Sequence, residues 1–80
     1  MTHTILRLPA IKASTGLSRS TIYLRIEQGM FTRPVSLGGR AVGWPADEVV
    51  ELNAYRIAGK SDSDIRDLVA KLEAARKLIG

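Results

Sequence analysis

Cysteine is absent from this chain, which excludes disulfides, thiolate nucleophiles and thiolate metal sites together. Histidine occurs once, as His3, so no second imidazole can join it on a metal and the serines lack a base for nucleophilic catalysis. No cofactor, no metal and no enzymatic activity are expected. Long apolar runs are missing too: none approaches the ~18 residues that a membrane-spanning helix needs. The opening "MTHTILRLPAIK" has neither the apolar segment nor the small-residue cleavage site of a secretion signal. A cytoplasmic protein with no membrane partner is expected. One tryptophan, two tyrosines and one phenylalanine are all the aromatic mass in 80 residues, so one modest core has to carry a single small fold.

Acids are scarce in the first half. Residues 1–44 hold Arg7, Lys12, Arg19, Arg25, Arg33 and Arg40 against Glu27 alone, six bases and one acid giving +5. Residues 45–80 hold six bases and seven acids, giving −1. The basic excess is almost all arginine, whose planar fork suits phosphate oxygens and guanine edges. This asymmetry favours a polyanionic partner, although arginines that only keep a small protein soluble would give the same count.

Along the chain, "ILRL" (5–8) reads as a short edge strand, and Pro9 suits the first turn of a helix "PAIKAST" that stops at Gly16. Ser18 then offers a hydroxyl cap to a second helix, residues 19–28, closed by Gly29. Two short helices joined by a tight turn make a helix-turn-helix pattern. In "FTRPVSLGGRAVGW" two β-prone runs flank Gly38 and Gly39, which predicts a hairpin, the wing, over 33–44. A two-residue turn would set Val35 opposite Val42, and a three-residue turn would slip that register by one. Pro34 lacks an N–H, so the first wing strand belongs at an edge.

Pro45, Asp47 and Glu48 open a third helix reaching about Ala58, with Val49, Leu52, Asn53 and Ile57 on one broad face. A buried amide without partners costs about 1 to 3 kcal/mol, so Asn53 is expected to be hydrogen-bonded or at the rim. "GKSDSD" (59–64) is a hinge by composition, and Ser61 with Asp64 resembles a capping pair. The final helix spaces Ile65, Leu68, Leu72, Ala75 and Ile79 by threes and fours, an amphipathic seam of two heptads. Asp62 with Arg66, Asp67 with Lys71 and Glu73 with Lys77 put an acid four residues before a base, the better orientation. The seam is too short for a free-standing coiled coil, so it either folds onto its own domain or meets another copy in a homodimer or cooperative oligomer. The expected organisation is a winged helix-turn-helix unit over 1–60 and a packing or dimerisation helix over 61–80.

On the second helix Ile22 and Ile26 are four apart and define the core side. At about 100° per residue, the opposite side carries Ser20, Leu24 and Gln28, with Thr21 and Arg25 on one flank and Glu27 on the other. In a DNA major groove Ser20 and Thr21 can bond base edges or phosphates, Leu24 can meet a thymine methyl, and Arg19 or Arg25 can fork onto guanine or phosphate. Without DNA, Ser18 and Ser20 would only cap the helix, and Leu24 would pack against the last helix. Tyr23 lies beside the core arc, where its ring packs and its hydroxyl reaches outward. Arg33 and Arg40 project from the hairpin toward a neighbouring backbone or minor groove, or else guard an edge strand against aggregation.

The segments "GLSRSTIY", "G.F..PV.LG.R.VGW" and the acidic helix start that follows together resemble the AlpA family of phage and prophage regulators. The resemblance covers about residues 5–58 and implies a mostly α fold with a small β-hairpin. That is a winged helix-turn-helix of the MerR-like and excisionase-like kind, here followed by a C-terminal amphipathic helix. It implies that the second helix enters the major groove of double-stranded DNA and the wing touches the flanking backbone. Carried onto this chain, those roles fall to Ser18, Arg19, Ser20, Thr21, Tyr23, Arg33 and Arg40. Thr32 departs from the family, where proline is frequent, and Asn53 stands where an apolar residue is usual. A sequence-specific transcriptional regulator is the expected function. An excisionase-like protein that bends DNA would use the same surface, and a protein-interaction adaptor would use the last helix instead.

Overall fold

The computed structural model describes residues 3–78. Strand β1 (Ile5–Leu6) leads into α1 (Leu8–Thr15) and α2 (Arg19–Glu27), followed by β2 (Val35–Ser36), β3 (Val42–Pro45), α3 (Ala46–Ile57) and α4 (Asp62–Ala75), which ends in a 3-10 turn, Arg76–Leu78. Pro9 lies in the first turn of α1, where its missing N–H costs nothing, and Gly16 ends that helix in the left-handed conformation at φ 72°. The mostly helical winged helix-turn-helix expected from the sequence is thus present.

The hairpin belongs to a three-stranded antiparallel sheet ordered β1-β3-β2, so β1 and β2 are both edges and Pro34 adjoins an edge strand as anticipated. Val35 faces Gly43 and Ser36 faces Val42, the register of the three-residue turn rather than the two-residue one. Leu37 N–H bonds the Ala41 carbonyl at 2.8 Å, leaving Gly38, Gly39 and Arg40 as the loop, with Gly38 at φ 103° and Gly39 at φ 54°. Gly43 is required for a different reason. A methyl added there would lie 2.5 Å from Ile5 Cγ2 and 3.0 Å from the Leu6 carbonyl oxygen, so β1 can approach only because β3 is bare at this point.

The core gathers Ile11, Ile22, Phe31, Trp44, Val49, Leu52, Ile65, Leu68 and Val69 from every layer of the molecule. Trp44 is its largest member, fully buried, with Tyr23 and Phe31 edge-on at 6.3 Å each and its indole N–H donated to the Thr32 carbonyl at 2.9 Å. Thr32 is equally buried, yet its hydroxyl has no hydrogen-bond partner. Thr32→Val keeps the shape and removes that orphaned group, so it is expected to stabilise the fold by about 1 kcal/mol. A rise of about 4 to 8 °C in Tm would register it; an unchanged or lower Tm would show the hydroxyl to be satisfied.

Three expectations are corrected. Ile57 is 87% exposed, because five residues at about 100° each turn it roughly 140° away from Leu52 and off the buried stripe. The last helix buries Ile65, Leu68 and Val69, with Leu72 half-buried and Ala75 exposed; Ile79 lies outside the described residues. A globular body takes a wider apolar stripe than a coiled-coil seam, which is why Val69 is inside. None of the three ion pairs expected along that helix is formed; among the described residues the ion pairs are Arg56–Asp62 and Arg76–Glu48. Arg66 and Glu73 instead bond backbone groups of Gln28 and Arg33, because tertiary partners lie within their reach. Two other expectations are met: Asn53 donates its amide to the Ser14 carbonyl at 3.0 Å, and Ser61 caps α4 by accepting the Asp64 N–H.

Candidate nucleic-acid interface

Helix α2 starts at a tight cap. Ser18 Oγ accepts the Thr21 N–H at 3.3 Å, donates to Thr21 Oγ1 at 3.0 Å, and shares a long 3.3 Å contact with Ser20 Oγ. Three hydroxyls are therefore tied together at the exposed start of the helix. Each keeps unused hydrogen-bonding capacity, since a hydroxyl has one donor and two acceptor sites. Ile22 is fully buried beneath them and fixes which way the rest of α2 faces.

On the outer side Ser18, Arg19 and Ser20 are exposed, Thr21 is half-buried, and Leu24 is 51% exposed. Leu24 therefore packs against no final helix; it stands in the open one turn beyond the hydroxyls. Arg19 lies over the Tyr23 ring, its guanidinium carbon 5.7 Å from the centroid, while that ring meets Trp44 edge-on. Trp44 belongs to β3, so this stack connects the start of the helix to the second wing strand. Arg33 and Arg40 are both exposed, the first before β2 and the second within the turn of the wing.

Arg25 occupies the other flank. It is half-buried and lines a groove of about 340 Å³ with Ser14, Leu17, Phe31, Leu52 and Arg56. Burial, and then the charge of Arg25, pull the pKa of Arg56 below its usual range against the opposing effect of Asp62. Arg25 thus lines this groove while sharing the Thr21 flank of α2, one turn further along the helix.

Several residues around the wing were invisible to the sequence reading. Arg33 N–H is held by Glu73 Oε2 at 2.8 Å and its carbonyl by Arg76 Nη2 at 2.7 Å. Arg76 also grips Glu48 with both arms, Nε to Oε2 at 2.7 Å and Nη2 to Oε1 at 2.6 Å. That hydrogen bonding raises the Arg76 pKa above its ordinary value despite the opposing effect of burial. These partners are 28 to 43 positions apart in sequence, so no local spacing could have signalled them. Among the described residues there is no cluster of three histidine or acidic side chains able to hold a metal, and no helix long and apolar enough to cross a membrane.

Comparison with known proteins agrees with this architecture. The family model described as prophage CP4-57 regulatory protein (AlpA) matches residues 4–57, from β1 to the end of α3. A protein of Enterobacteria phage P4, described as uncharacterized protein ORF88, is 51% identical over 55 residues, covering 69% of this chain and 62% of the phage protein. The chain thus matches less than two thirds of that relative's length. No solved structure matches. A family match spanning more than half the chain, joined to a helix-turn-helix and a three-stranded sheet that carries the wing, places this chain in the AlpA family of prophage regulatory proteins.

Proposed function

We propose that this chain is a sequence-specific double-stranded DNA-binding transcriptional regulator of a phage or mobile element. Helix α2 enters the major groove, and the wing over 33–44 lies on the flanking backbone. The observation that carries this reading is Leu24, which stands 51% exposed on a capped helix beside the Ser20 and Thr21 hydroxyls. A large apolar side chain kept in the open among hydrogen-bonding groups matches a base-pair edge, where a thymine methyl adjoins donors and acceptors. Arg19, Arg33 and Arg40 supply phosphate contacts around it, and a DNA partner puts the protein in the cytoplasm.

The adaptor alternative needs a free apolar face on α4, and Ile65, Leu68 and Val69 of that face are in the core. Pairing of two copies through 61–80 would have to use the outer side of that segment, where Leu78 is 87% exposed. A single small module burying about 600 to 1,000 Å² holds its site weakly at physiological salt, so two copies on adjacent sites suit the proposed role. An excisionase-like use of the same surface differs in bending the duplex, which a circular-permutation mobility assay would register.

Selection of bound duplexes from a random pool tests the proposal, followed by Arg40→Ala and Arg19→Ala on the selected site. Arg40→Ala is expected to weaken binding similarly for all sequences and to reduce the salt slope by about 1. Arg19→Ala is expected to weaken it as well. If no sequence is enriched, or both variants bind as the parent does, α2 and the wing are not the DNA-binding surface.

A further inference from the structure

The wing is poorly supported by its own hydrogen bonds. Strand β2 has two residues, pairs with β3 at only two positions, and is preceded by a proline that donates nothing. β1 pairs with β3 only at Trp44 and Pro45, so toward the turn the ribbon has two strands alone, which are marginal in water by themselves, and any play at the root of β2 is magnified at Arg40 on its tip. Yet the root is held on both sides by one helix. Glu73 and Arg76 take the N–H and the carbonyl of Arg33, just before β2, and Arg76 takes Glu48, just after β3. At its other end the same helix sends Arg66 Nε to the Gln28 carbonyl at 3.0 Å, at the end of α2. One rigid element therefore grips both the end of the recognition helix and the root of the wing.

We propose that Arg66, Glu73 and Arg76 form a brace that fixes the angle between α2 and the wing, and that they are positioning residues of the DNA interface. The inference rests on the DNA-binding reading above. All three lie beyond residue 57, where the family match ends, so the brace is a feature of this chain outside the matched region. Its logic is preorganisation: a wing already set at the binding angle loses less conformational freedom when Arg33 and Arg40 meet phosphate. Glu73 is also an acid close to a proposed phosphate-binding residue, so on charge alone it opposes DNA binding. A positioning role and a purely electrostatic role thus predict opposite signs for its removal.

The test compares Glu73→Ala with Glu73→Gln, which loses the same charge but keeps an oxygen able to accept the Arg33 N–H. Glu73 is half-buried and makes one bond to the wing root, so both variants are expected to fold. With a duplex selected by the parent protein as probe, Glu73→Ala is expected to bind about tenfold more weakly, and Glu73→Gln within about threefold of the parent or tighter. Arg40→Ala is expected to cost much less in the Glu73→Ala background than in the parent, since a loosened wing has already lost that contact. Amide relaxation of residues 35–42, measured without DNA, is expected to show added motion in Glu73→Ala only. Tighter binding by Glu73→Ala, independent costs for the two alanine substitutions, or an equally ordered wing would each overturn the brace. A parent protein that enriches no duplex overturns the DNA-binding reading instead, and the relaxation measurement then still decides whether the brace orders the wing.

Discussion

Arg76→Ala is expected to be the most damaging single substitution at a polar side chain in this protein, costing about 3 to 5 kcal/mol of stability. The side chain of Glu48 is 7% exposed and that of Arg76 21%, so the pair is largely withdrawn from water. Removing the guanidinium leaves a buried carboxylate without its two charge-assisted hydrogen bonds, and the Arg33 carbonyl without its donor. A chain of this length has a total stability of only about 4 to 12 kcal/mol, so much of it is at stake. At about 4 to 8 °C per kcal/mol for a domain this size, the midpoint of thermal unfolding is expected to fall by at least 12 °C. Replacing both partners, Glu48→Met with Arg76→Met, is expected to be near neutral, because the desolvation of two charges disappears along with their attraction. Calorimetry of the single and double variants checks this. A single variant that melts within a few degrees of the parent would mean that water reaches Glu48 and the pair is a surface ornament.

Binding to a selected duplex is expected to fall by a few hundredfold between 50 and 200 mM salt. If each copy neutralises about four to five phosphates, counterion release sets a slope near −4 in log affinity against log salt. The charge distribution supports such a number. Arg19, Arg33 and Arg40 are exposed around α2 and the wing, and Arg7 and Lys12 are exposed nearby in the chain, while the second half of the sequence carries no net positive charge. Fluorescence anisotropy across a salt series measures the slope. An affinity almost indifferent to salt would rule out phosphate neutralisation and leave the arginine-rich half with a solubilising role.

Much of the fold was legible because its signals are local. The cap at Ser18, the stop at Gly16, the cap at Ser61 and the edge position of the strand beside Pro34 each follow from one residue's own backbone or hydroxyl chemistry. The direction of α2 was likewise readable, since Ile22 and Ile26 can share only one side of a helix. Readings failed where two segments compete for one residue. The charge spacing of Glu73 and Lys77 suggests an intrahelical pair, but the folded chain offers Glu73 a backbone N–H forty positions away. Ile57 was placed on one broad apolar face with Val49 and Leu52, but it lies five residues after Leu52 and so roughly 140° round the helix from it, off the buried stripe.

By itself, then, the sequence determined that there are two short helices and a wing, that α2 turns Ser20 and Leu24 away from the core, and that the positive charge lies with them. Residue chemistry and periodicity suffice for that, because caps, turns and helix faces are settled within a few positions of the chain. Only the tertiary structure decided the register of the wing, the exposure of Leu24 and the fate of the last helix. Those depend on contacts between residues far apart in sequence: Trp44 wedged between Tyr23 and Phe31, and Glu48 meeting Arg76. Such contacts exist only once the chain has closed around one core, and their energies then outweigh the local preferences of each segment.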